Sequence, residues 1–108
     1  MANTFKNYFL KNATTGANNA YVTPAATQAT IIGMTIGNTS ASPISANVTV
    51  VSGGVTYFMV QNAVISNGGA LVPIGGDQKL VMESGDFMQV QTSTANSADV
   101  IVSVLEIS

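Results

Sequence analysis

Five carboxylates and three lysines, with no histidine, cysteine or arginine, are the ionisable groups the 108-residue sequence offers beyond its tyrosines. The densest grouping is Gly75-Gly76-Asp77 followed by Glu83-Ser84-Gly85-Asp86, three carboxylates within ten residues, a composition that oxygen-ligand Ca²⁺ sites use. Asp and Gly are equally the residues of tight turns, and on that reading Asp86 caps its own backbone. The same carboxylates can be paired as the acid and base of a glycosidase, but nothing raises one pKa above another or builds a sugar cleft. The commonest general base and metal ligand, histidine, is absent, and the serines have no His or Lys partner in a recognisable arrangement. Gly53-Gly54, Gly68-Gly69 and Gly75-Gly76 open no helix and precede no Lys-Ser or Lys-Thr, so they read as hairpin glycines rather than a phosphate cradle. The expectation is a protein that is not an enzyme, with no catalytic residue, cofactor, metal or small-molecule substrate.

The elements that would position any site are short strands. Ile44 to Asn62 holds two runs of β-branched and aromatic residues around Ser52-Gly53-Gly54 and predicts a β-hairpin. Both faces of its second strand are apolar, with Val55, Tyr57 and Met59 on one side and Phe58 and Val60 on the other, which predicts burial between layers, one of them a neighbouring subunit. Tyr57 is expected to lie in a packed layer. Ala29 to Asn38 alternates Ile32, Met34 and Ile36 with Ile31, Gly33, Thr35 and Gly37, a central strand whose glycines suggest a bulge or bend. Further strands follow at Ala70 to Ile74, where Pro73 argues for an edge, and at Lys79 to Met82, Phe87 to Thr92 and Asp99 to Ile107. The stretch Lys11 to Ala20 carries only loop chemistry. No segment spaces apolar residues as a helix would. The fold class is therefore all-β, a single β-sandwich or jelly roll of about eight short antiparallel strands spanning residues 1–108, with residues 1–20 as an N-terminal arm and loop. A closed barrel is the alternative.

Composition bounds the partners. Charged residues are 7% of the chain and apolar residues 46%, against about 25% charged in ordinary soluble domains. Polarity comes from Asn, Thr, Ser and Gln, which leaves little charge to oppose association and predicts that part of the surface is covered by other subunits. A net charge of −2 without arginine is the wrong balance for phosphate-backbone binding, so no nucleic acid is expected. No segment approaches the apolar length of a membrane span, and the start MANTFKNYFLKN lacks a signal-peptide core, so synthesis in the host cytoplasm is expected. Phe5, Tyr8, Phe9 and Leu10, in a segment that is either an edge strand or an arm, and Tyr57 and Phe58 in the hairpin, are the interface candidates. Exposed tyrosines could instead stack on sugars.

Thr23 to Asn38 (TPAATQATIIGMTIGN), Ala46 to Val51, the Gly75-Gly76-Asp77-Gln78-Lys79 turn with Glu83-Ser84-Gly85-Asp86, and the ending DVIVSVLEIS together resemble small structural proteins of tailed bacteriophage virions. The resemblance implies a β-sandwich subunit located in the virion, with itself as a homo-oligomer and other virion proteins such as the major capsid protein as partners. It implies a capsid decoration or cement role, with a tail, neck or fibre component, or a carbohydrate- or receptor-binding module, as alternatives.

Overall fold

The computed structural model describes residues 3–75 and 79–108. Nine strands make up the described secondary structure: β1 (Asn3–Leu10), β2 (Asn18–Val22), β3 (Gln28–Asn38), β4 (Ile44–Ser52), β5 (Val55–Ile65), β6 (Ala70–Ile74), β7 (Leu80–Met82), β8 (Phe87–Thr92) and β9 (Ala98–Ile107). They form two antiparallel sheets. One has the order β1-β9-β3-β6, with β7 also pairing β3, and the other has the order β2-β8-β4-β5. The fold is a β-sandwich. Among the described residues no helix is long and apolar enough to cross a membrane.

The inner faces follow the period of two that a half-buried strand imposes. Val100, Val102 and Val104 on β9 share one buried core with Val48 on β4 and Met88 and Val90 on β8, all at most 1% exposed. The β4–β5 hairpin closes on Gly53 and Gly54 with φ of 60° and 79°, and Ser52 pairs Val55 across them. Two consecutive left-handed residues make the two-residue turn whose twist matches the strands, which is why two glycines are needed. The hairpin expected to end at Asn62 continues to Ile65, and Pro73 does lie in an edge strand.

Three expectations are corrected. Ile32 does not share the core face with Met34 and Ile36, because the ladder with β9 slips between Ile31 and Gly33. That bulge turns Ile31 inward to 0% exposure and leaves Ile32 half-buried on the outer side. The stretch Lys11 to Ala20 is not all loop: β2 begins at Asn18, and Ala13 is buried between backbone bonds to Ala98 O (2.7 Å) and from Asn96 N (3.1 Å). An alanine buried this way needs no apolar run around it. Finally, Tyr57 is 57% exposed and not in a packed layer of this chain. β5 is an edge strand whose first four residues extend beyond the cover of the other sheet.

Candidate functional site

Segment 3–10 resolves to the edge strand rather than the loose arm, paired with β9 along its length without a break in register. Its residues divide by parity. Phe9 faces Ile101, Asn7 faces Ser103 and Phe5 faces Leu105, and these pairs stand on the outer surface of the sheet. Phe5 and Phe9 are each 72% exposed, and Ile101 is exposed beside Phe9. Ser103 Oγ donates to Asn7 Oδ1 at 2.8 Å, so two apolar pads are separated by one polar rung. Shallow hollows of about 240 Å³ beside Phe5, Asn7, Ile32 and Ser103, and about 170 Å³ beside Phe9 and Ile101, relieve this surface.

The even-numbered residues turn the other way. Tyr8 and Leu10 are half-buried against the core. The Tyr8 ring meets that of Tyr21 edge to face, centroids 4.8 Å apart at 72°. Both hydroxyls donate to Glu106 Oε2, Tyr21 at 2.6 Å and Tyr8 at 3.1 Å, while Lys6 Nζ lies 3.1 Å from Oε1. Glu106 is 6% exposed. Burial pushes its carboxyl up, but the hydrogen bonds from Tyr21, Lys6 and Tyr8 and the lysine charge together outweigh it and hold the group below the usual carboxylate range. Burial, then the bond to Glu106, pushes the Tyr21 hydroxyl far up, and Glu106 raises Lys6. Every acceptor oxygen is engaged and the tyrosines stay neutral, so this cluster holds strands together and has no proton to give at ordinary pH. No motif in the sequence marks Glu106. The signal was its phase: it follows Val100, Val102 and Val104 on the inward face of β9.

Tyr57 and Phe58, 57% and 55% exposed, sit on the other sheet near the hairpin tip, apart from the β1 group. At the Glu83–Asp86 turn, Asp86 Oδ2 accepts from the Glu83 amide at 3.0 Å and Glu83 Oε1 from Gln28 Nε2 at 3.2 Å, so these carboxylates are used in local bonding. Gly76, Asp77 and Gln78 lie outside the described residues. Among the described residues no three acidic, histidine or cysteine side chains converge as metal ligands would.

No family model matches the sequence, and no curated protein matches it. Among solved structures, a protein of Bacillus endospore appendages, which form a family of disulfide-linked pili, is 17% identical with a TM-score of 0.54, over 96% of this chain and 85% of its own. A pentameric capsid protein isolated from metagenomic phage sequences, solved twice, is 16% identical with a TM-score of 0.41, over 94% of this chain and 59% or 60% of its own. The first likeness is one of fold. With no cysteine, this chain cannot form the disulfides that link those pili.

Proposed function

We propose that the chain is a non-enzymatic structural subunit of a virion, a capsid decoration or cement protein that stabilises the shell through contacts between subunits. The observation that carries the reading is the surface: large apolar side chains stand out from both sheets, Phe5 and Phe9 from one and Tyr57, Phe58 and Val64 from the other, on a chain with 7% charged residues. Scattered exposed apolar residues are ordinary, but large exposed aromatics on both sheets suit a subunit gripped from more than one side. A typical interface covers about 800 Å² per partner, roughly one seventh of the 5567 Å² surface, so two or three contacts fit on it. The strand orders β1-β9-β3-β6 and β2-β8-β4-β5 are those of two interleaved Greek keys, which supports reading the sandwich as a jelly roll, a fold capsid proteins use. The shared fold with a pilus protein adds an assembling example. Shell binding works by buried area and main-chain contacts and needs no reactive group.

The test is the copy number and position of the chain in purified phage particles, by quantitative mass spectrometry and electron microscopy. Copies spread over the shell in proportion to the major capsid protein are expected. A handful at one vertex or on the tail would make it a tail, neck or fibre component instead, and absence from particles would refute a virion role.

A further inference from the structure

A sheet edge exposes a row of unpaired backbone N–H and C=O groups, and proteins that do not use an edge blunt it. The two sheets have edges at β1, β6 with β7, β2 and β5. The β6/β7 edge is split into two short strands and carries Pro73. The five-residue β2 is broken by a bulge between Asn19 and Tyr21. Next to β4, β5 shifts register twice and holds Asn62 at φ 53°, which interrupts its run. Among the described edge strands only β1 has none of these devices: eight residues, no proline, no bulge, and its one charged side chain, Lys6, pairs with Glu106.

We propose that β1 is the edge at which a second copy of this chain adds, strand to strand and antiparallel about a two-fold axis at Asn7, joining two sheets into one. This deepens the assembly reading above and rests on it for the premise that the chain associates. Self-complementarity argues for a second copy rather than a foreign strand. With Asn7 opposite Asn7 of the second copy, Phe5 faces Phe9 in both directions, and the outer surface gains two continuous apolar rows, each running Ile101, Phe9, then Phe5 and Leu105 of the second copy. The polar rung Ser103–Asn7 meets its own copy between them. Cross-strand aromatic pairs of this kind stabilise a sheet. The neighbouring register, centred on Lys6, sets two lysines face to face and is disfavoured. The Asn7 register forms about six new backbone hydrogen bonds, and closing a two-fold leaves no free β1 edge to propagate a fibre.

The absence of cysteine makes a clean probe. Asn7→Cys places two thiols across a directly opposed pair, within the Cα separation a disulfide spans. Purified protein is expected to elute at twice the monomer mass, and Asn7→Cys to convert to a covalent dimer under mild oxidation, while Thr56→Cys at the exposed hairpin tip does not. Phe5→Lys with Phe9→Lys should abolish the dimer, leave the circular dichroism spectrum unchanged and make melting independent of protein concentration, since both rings are largely in solvent within one chain. A monomer at high concentration, equal cross-linking of the Asn7→Cys and Thr56→Cys variants, or a dimer that survives the double lysine variant overturns the proposal. If these fail while the chain still decorates particles, only the β1 pairing is wrong; if the dimer forms but particles lack the chain, only the virion role is.

Discussion

Tyr21→Phe isolates one bond. The change keeps the ring, its edge-to-face contact with Tyr8 and its place in the core, and removes the hydroxyl that donates to Glu106 at 2.6 Å. A hydrogen bond to a charged acceptor contributes about 1.5–3 kcal/mol, and a buried carboxylate cannot replace it with water. Glu106 keeps Tyr8 and Lys6, so the loss should be about 2 kcal/mol, or roughly 10 °C in melting temperature for a domain of this size. Tyr8→Phe should cost about half as much, because its longer bond lies nearer solvent. The cluster also sets the acid limit. Because the Glu106 carboxyl is lowered in the folded state, its contribution is present above the ordinary carboxylate value, about 4.3, and is lost as pH falls through the folded value. Melting followed by circular dichroism from pH 7 to pH 2.5 reads both effects. Glu106→Gln should flatten the acid limb, leaving the contribution of Asp99, whose carboxyl is lowered by the Asn12 amide and Lys11. A Tyr21→Phe protein that melts within about 2 °C of the parent, or a Glu106→Gln protein with an unchanged acid limb, would refute the view that this carboxylate is a buried, ionised tie.

Ile31→Ala should cost about 3 kcal/mol and Ile32→Ala about 1 or less, read as urea midpoints; equal costs would remove the bulge from β3. Gly54→Ala adds no clash but holds alanine at φ 79°, so a loss of about 1 kcal/mol is expected by thermal melting. Tyr57→Asp should change stability of the isolated chain by less than about 0.5 kcal/mol, and a large loss on thermal melting would show the hairpin tip to be covered.

The inward faces of β4 and β8 were legible because one buried side of a strand writes itself into alternate residues, Val48 on one and Met88 and Val90 on the other, whereas β9 is apolar on both faces and only the packing picks Val100, Val102 and Val104 over Ile101, Leu105 and Ile107. The Gly53-Gly54 turn was legible because few residues other than glycine take its angles. β3 was legible as a strand, with a bulge suggested by its glycines, but not in phase, since Ile31, Ile32, Met34 and Ile36 are all apolar and only the partner ladder says where the extra residue falls. The loop around Ala13 hid its anchor in backbone bonds, which leave no mark on composition. Sheet order was out of reach for a similar reason: β1 meets β9 across nearly the whole chain, as in the Tyr8–Glu106 contact, and no local pattern encodes that pairing.

β1 shows why so few charges suffice. Its strongest apolar residues, Phe5 and Phe9, lie on the outer face, so hydrophobic pattern alone would favour a slip of one residue that turns both inward and Lys6 and Tyr8 outward. The observed register is held by polar ties instead. Lys6 reaches Glu106, and just past the strand Lys11 reaches Asp99 at 3.0 Å while the Asn12 amide bonds the same carboxylate. Exposed ion pairs such as Lys11–Asp99 add little stability. Their value here is positional: a one-residue slip would strand Glu106, buried, without its lysine and one of its tyrosines, which costs far more than a phenyl ring in water. Lys6, through the buried Glu106, therefore helps fix which face of β1 looks outward. That register keeps both phenylalanines on the surface and pairs β1 with β9 without a bulge.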